Sequence, residues 1–397
     1  MLRKRLWVDV DRACGLTAGL SVALAASGCG GLVESRGDAV DAGATPAIDG
    51  SPRSESGSRD GVAADEDAST SPEPGSCSSG TRTIGAQAQP SAMGRNTAIA
   101  VDSTSVYWVD DTTGIVKVPL CGGTASTLAA HGPALGLLGL AIESPYLYWL
   151  RSTGNRVHIE RVPAGGGATT SLAEGRDLWG PIATDATSLY LFQSGAVPAL
   201  VRLPLGGGSV ATLAPLATSS GSLEVGNVAV DGTNAYWSET SAGVVLRVPL
   251  AGGAPVTLAA GQASPGPVTL DSANLYWANG GQSAFPTGPP ASDEGSIVKL
   301  ALAGGAPITL ASSVSPCGLA TDGTSVYFTD FSKGARNGHV LKVSVAGGTP
   351  STIAAPGNSL VCPVAVDATS VYWGAATTFD PFYGTTTGGG LMRTTPK

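Results

Sequence analysis

Charge is scarce along these 397 residues, of which only 13% are Asp, Glu, Lys or Arg. Beyond residue 80 the chain is nearly neutral and holds no Lys/Arg cluster, so its body lacks the electrostatic footprint by which proteins hold nucleic acid. Histidine is scarcer still: His131, His158 and His339 lie far apart and at no metal-ligand spacing. Cys-x-x-Cys, His-Glu-x-x-His and Gly-x-Ser-x-Gly are all missing, which removes the usual sequence signatures of zinc sites and serine hydrolases. Gly165-Gly166-Gly167 and Gly206-Gly207-Gly208 are not phosphate loops, because no helical pattern follows to aim its amides at an anion. Helical periodicity is lacking throughout, and the one apolar stretch near the start, Ala13 to Ala26, is too short to span a bilayer. No catalytic residue, metal or cofactor is expected from these signals.

What is present is regular. Seven times a short apolar strand ends in an acid, passes through a small polar turn and restarts on a tyrosine five residues later. Asp102 leads to Tyr107-Trp108, Glu143 to Tyr148-Trp149, Asp185 to Tyr190-Leu191 and Asp231 to Tyr236-Trp237. Asp271 leads to Tyr276-Trp277, Asp322 to Tyr327-Phe328 and Asp367 to Tyr372-Trp373. The acids are 41, 42, 46, 40, 51 and 45 residues apart. A period in the forties without helical pattern predicts an all-β fold, a seven-bladed β-propeller of four-stranded antiparallel blades. In the fourth repeat the predicted strands are Asn227 to Val230, Ala235 to Glu239, Val244 to Leu250 and Pro255 to Ala259, with turns at Asp231-Gly232-Thr233-Asn234 and Gly252-Gly253. The 56 glycines and 27 prolines are read as turn punctuation.

The seventh repeat stops before its Gly-Gly turn and fourth strand, while Thr81-Arg82-Thr83-Ile84 precedes the first repeat and resembles the fourth strand at Pro350-Ser351-Thr352-Ile353. The amino-terminal strand is therefore expected to complete blade seven, which removes the open edges of the ring. Ahead of it lie two other regions. Residues 1–29 read as a signal peptide, with a basic start at Arg3, Lys4 and Arg5 and small residues before Cys29. Residues 30–80 read as a disordered acidic linker, since 31–80 hold ten acids against three arginines and almost no aromatic or β-branched residue.

Two resemblances follow from these residues. Ala26-Ser27-Gly28-Cys29 resembles a bacterial lipobox, which implies lipidation of Cys29 and a lipoprotein anchored in the cell envelope, the outer membrane being favoured by Gly30 and a secreted form being the alternative. Tyr107-Trp108-Val109-Asp110, Tyr236-Trp237-Ser238-Glu239 and Tyr327-Phe328-Thr329-Asp330 resemble the Tyr-Trp-Thr-Asp repeat of low-density-lipoprotein-receptor-type propellers, and the strand grammar is similar to bacterial NHL-like and YncE-like propellers. The receptor-type domains have six blades, so a six-bladed ring stands as the alternative to the seven counted here.

The recurrent acids are the first candidates for chemistry, yet recurrence in all seven blades at the start of a turn points to a structural task. A cation in each third strand (Lys117, Arg161, Arg202, Arg247, Lys299, Lys342, Arg393) is expected to face solvent or pair with a neighbouring acid. The aromatic pairs are expected as core between blades. Cys317 and Cys362 stand just before the first strands of blades six and seven, and Cys77 and Cys121 both precede a third-to-fourth-strand turn; these two pairs are the expected disulfides. The separation from the second aromatic to the cation is 9, 12, 11, 10, 22, 14 and 20 residues in blades one to seven. The long loops of blades five to seven carry Phe285, Phe331, Lys333, Arg336, Phe379, Asp380, Phe382 and Tyr383, a candidate recognition surface or, alternatively, a small hydrophobic cap. The function expected is that of a non-enzymatic, monomeric scaffold that binds a protein, peptide or glycan and meets the membrane only through its anchor. A propeller lyase or lactonase with a site at the channel mouth is the alternative.

Overall fold

The computed structural model describes residues 77–86, 99–110, 113–130, 136–217, 225–280, 295–331, 338–355, 363–380 and 385–397, all within one unit, Thr70–Lys397. Residues 1–29, expected to be a signal peptide, and with them Cys29, lie outside the described residues. Among the described residues there is no α-helix; every element is a strand, and the strands form seven four-stranded antiparallel sheets. Blade four consists of Val225–Val230, Asn234–Glu239, Val244–Pro249 and Val256–Ala259. Blade seven is built from Val364–Val366, Val371–Asp380 and Thr385–Thr395, and its fourth strand is Gly80–Ala86 from the other end of the chain. That strand pairs antiparallel from Gly80 opposite Thr395 to Ala86 opposite Gly390, which closes the ring. The first strands line the centre, each beside the first strands of both neighbouring blades.

The turns explain why the strands stop where they do. At each Gly-Gly turn the chain must take two successive left-handed residues, as at Gly252 (φ 90) and Gly253 (φ 135), a backbone closed to side chains with a Cβ. The turn is locked by the Gly252 amide donating to the Pro249 carbonyl at 2.9 Å. A register shift recurs between strands three and four, for example at Val245/Leu246 and Ile297/Val298, and such bulges add local twist.

The core is divided into seven clusters, one per junction between successive blades. Adjacent strand residues face opposite sides of a sheet, so the aromatic pair straddles its blade. Tyr236 belongs to the cluster shared with blade five, and Trp237 to the one shared with blade three. Tyr372 likewise packs toward blade one and Trp373 toward blade six. These tyrosines and tryptophans are essentially buried. No blade has a core of its own.

Candidate functional site

The acid of each repeat is engaged by its own turn. In blade one, Asp102 Oδ1 accepts the Thr104 and Ser105 amides at 2.7 and 2.8 Å and the Thr104 hydroxyl at 2.8 Å. Its other oxygen accepts the Tyr107 hydroxyl at 2.8 Å. The phenol contact repeats at Asp185–Tyr190, Asp231–Tyr236, Asp271–Tyr276 and Asp367–Tyr372 (each 2.7 Å) and at Asp322–Tyr327 (2.9 Å). This is the physical reason for the five-residue spacing: the first turn and the first two residues of the second strand bring the phenol back over the carboxylate. Blade two departs from the pattern, for Glu143 replaces Asp and Tyr148 stands opposite Arg161 in the ladder, whose charge partly offsets the upward push of burial on its phenol.

The electrostatics match. Partial burial pushes each carboxyl up, but the phenol and amide hydrogen bonds outweigh it and hold Asp102, Asp185, Asp231, Asp271 and Asp367 below the ordinary value of 3.8. Asp322 is held well below it, against burial, with a hydrogen bond from Lys397 leading. Burial and the bond to the carboxylate push the phenols of Tyr107 and Tyr236 up to about 12. Neither partner is poised near neutrality, as a general acid or base must be.

The cations behave differently from expectation. Most do not face solvent or meet an acid; they cap backbone carbonyls of the following blade. Lys117 donates to Ala164 O at 2.9 Å, Arg161 to Leu205 O and Arg202 to Leu250 O at 2.8 Å, and Lys299 to Val345 O at 2.7 Å. Arg393, fully buried, donates across the seam to Leu120 O at 3.0 Å and to Ser78 O at 2.8 Å. Each cation sits directly opposite its blade's tyrosine in the strand ladder, as Tyr107 opposite Lys117 and Tyr276 opposite Lys299. Sequence reading missed this tie because its acceptor is a main-chain oxygen; the fixed Tyr-to-cation register was the available signal.

Acids at the ends of second strands are likewise occupied. Glu239, fully buried, accepts the Ala217 amide at 3.0 Å and the Trp237 indole at 2.9 Å, and Asp330 accepts the Ser315 amide at 2.6 Å. Among the described residues of the seven first strands, the only ionisable side chains are Glu143, at a turn, and the oxidised Cys317. Among the described residues no group of three or more His, Cys, Asp and Glu is placed to hold a metal.

Cys77 and Cys121 form a disulfide, with Cα atoms 4.9 Å apart. Cys317 is also disulfide-bonded, while Cys362 lies outside the described residues. Of the loop residues, Phe285, Lys333, Arg336, Phe382 and Tyr383 lie outside the described residues too. Phe331 is 1% exposed and its amide bonds Ser315 O at 3.0 Å, so it is packed into the blade rather than displayed. Phe379 and Asp380 are not on a loop: they continue the second strand of blade seven, opposite Thr386 and Thr385. The extra length of that blade forms a two-stranded arm running five residues past Ala375, about 17 Å at the strand rise of about 3.4 Å per residue.

No family model and no curated protein matches the chain. Among solved structures, a streptogramin B lyase is similar at 12% identity and a TM-score of 0.57, over 79% of this chain and 96% of its own. A GH74 enzyme from Niastella koreensis is similar at 16% identity and a TM-score of 0.59, over 78% of this chain and 55% of its own. A nidogen/laminin complex gives 17% identity and a TM-score of 0.41, over 72% and 93%. For the first two the likeness is one of fold alone, and the class it shares is the β-propeller.

Proposed function

We propose that the chain is an exported envelope protein, anchored through lipid on Cys29, whose propeller is a non-enzymatic scaffold that presents the second-to-third-strand face of blades five to seven to a protein, peptide or glycan. The observation that carries this reading is the occupation of the repeated polar groups. Six acids are tied to their tyrosines, five cations cap neighbouring carbonyls, and the first strands offer almost no ionisable side chain. The departures from the repeat lie in the connections between second and third strands, where blade seven extends its arm. An arm on a rigid ring suits recognition, since the scaffold has already met the ordering cost.

Two measurements test the reading. Cys29→Ser should abolish incorporation of labelled palmitate and release the chain from membranes; unchanged labelling removes the anchor. For the face, a Phe379→Ala, Phe382→Ala, Tyr383→Ala variant should lose binding on a glycan array and peptide display panel while keeping its melting temperature. Full retention of every bound feature removes the loop face, and turnover of a lactone or glycan panel by the purified protein favours the enzyme reading.

A further inference from the structure

Six of the seven junctions are tied at the rim by a cation, and among the described residues one is not. Lys117, Arg161, Arg202, Lys299 and Arg393 cap carbonyls of the following blade, and between blades six and seven Lys397 pairs with Asp322 at 2.7 Å. Between blades four and five Arg247 holds the same register, opposite Tyr236. Its guanidinium, only part-buried, makes no hydrogen bond or ion pair with any described residue, and Leu302 O, the counterpart of Leu250 O and Val345 O, is not capped by it.

The glycine turns record the same gap. A Cβ added at Gly122, Gly166, Gly207 or Gly347 would meet the fourth strand of the preceding blade, at Ile84 (3.5 Å), Leu128 (3.8 Å), Leu172 (3.0 Å) or Leu310 (3.9 Å). At Gly304 it would meet nothing within 4 Å. Gly252 also stands clear, but there Arg202 spans the junction. Nearer the channel, blades four and five are unusually close. The Asn227 side chain bonds the Val268 backbone in both directions, and the hydroxyls of Ser238 and Thr240 donate to Gly266 O and Pro265 O. The junction is drawn tight at the centre and stands open at the rim.

The opening is a cleft of about 210 Å³ with Arg247 in its wall and Leu258, Leu275, Leu300 and Leu302 around it. Val256, the cross-strand partner of Arg247, is 47% exposed beside it. A guanidinium with no anion is a planar fork suited to a carboxylate, and leucine walls suit an aliphatic tail. With about 210 Å³ open to water-sized groups, the cleft has room for several of them and so for a short aliphatic chain. We propose that this cleft binds a small aliphatic carboxylate, its carboxyl on Arg247 and its tail between Leu258 and Leu300. The site lies on the side of the Gly-Gly turns and is independent of the loop face.

The test uses the whole folded chain, titrated with sodium pentanoate and with neutral pentanamide by ligand-observed NMR. Pentanoate should bind saturably and pentanamide should not; Arg247→Gln should weaken pentanoate at least about tenfold and leave the melting temperature unchanged. Arg202→Gln, which removes a carbonyl cap, should lower the melting temperature and leave pentanoate binding intact. Leu258→Trp, which fills the cleft, should also abolish binding. Equal binding of the two probes, undiminished binding by Arg247→Gln, or an Arg247→Gln melt lowered as far as that of Arg202→Gln overturns the proposal, the last because it would show the guanidinium capping Leu302 O.

Discussion

Cutting the Cys77–Cys121 clasp gives a calculable loss. The two half-cystines are 44 residues apart in sequence, and they join the lead-in of the closing strand to the rim turn of blade one. In the chain-entropy treatment, a cross-link closing a loop of that length disfavours the unfolded chain by about 4 kcal/mol at 25 °C. The propeller, residues 80–397, unfolds with an entropy of about 0.7 kcal/mol/K at about 2.1 cal/mol/K per residue, so the expected fall in melting temperature is about 6 °C. The perturbation is the double substitution Cys77→Ser, Cys121→Ser, and the assay is calorimetry of the purified chain under non-reducing conditions. Arg393 supplies an internal check, since its two donors cap the carbonyls of Ser78 and Leu120, each adjacent in sequence to a half-cystine. Arg393→Met in the two backgrounds should therefore be non-additive, because both changes loosen one seam. Deleting residues 77–86 should cost much more than the double substitution, as it also removes a strand ladder and Ile84 from the core. A melt lowered by less than about 1 °C in the double Ser variant, or a deletion no worse than it, would refute the reasoning.

Three further outcomes are expected. Asp231→Ala should cost about 3 kcal/mol, because it strips an acceptor from two amides, a threonine and a buried tyrosine, whereas Glu143→Ala should cost under about 1 kcal/mol; urea melts check both. Folded-state phenols raised above 10 stabilise the fold fully below pH 10, and that contribution is lost as pH climbs through about 12, while the depressed Asp values contribute above pH 3.8 and are lost below it. Stability measured against pH should therefore hold between these limits and fall outside them, and absorbance near 295 nm should show the bonded phenols ionising late; early ionisation of all phenols near pH 10 contradicts the Asp–Tyr bonds. Gly226→Ala should destabilise severely, since its Cβ would lie 2.0 Å from Gly266 O; a melt within about 1 °C of the parent would show that the first strands of blades four and five do not approach so closely.

The blade count, the closing strand and the inward role of the aromatic pairs were legible because each is written in side chains at a fixed period. Asp231 and Tyr236 announce their bond through spacing alone, and Thr81 to Ile84 betray their role by likeness to a fourth strand. The cation ties were not legible, because Leu205 O and Leu250 O are main-chain atoms that no residue type marks, and their direction depends on which face of the third strand meets the next blade. Length misled in blade seven: twenty residues between Trp373 and Arg393 read as a loop, yet Thr378 pairs with Thr387 and the ladder continues to Asp380. Threonine suits a strand even where no apolar alternation announces one. Phe331 stands among the loop residues expected to form either a recognition surface or a small hydrophobic cap, but the chain folds back there onto Ser315 and takes the ring inside.

The split aromatic pair has an evolutionary consequence. Each blade offers a tyrosine and a cation on its leading side and an indole or its replacement on its trailing side, so the junctions share one pattern of apolar docking. A duplicated or lost repeat would keep the aromatic part of that docking, while the Asn227 bonds between blades four and five and the Lys397–Asp322 pair between blades six and seven would have to be rebuilt. Ring size in such a protein is then set by the wedge angle between blades and by where the two chain ends meet, rather than by residues that specify seven.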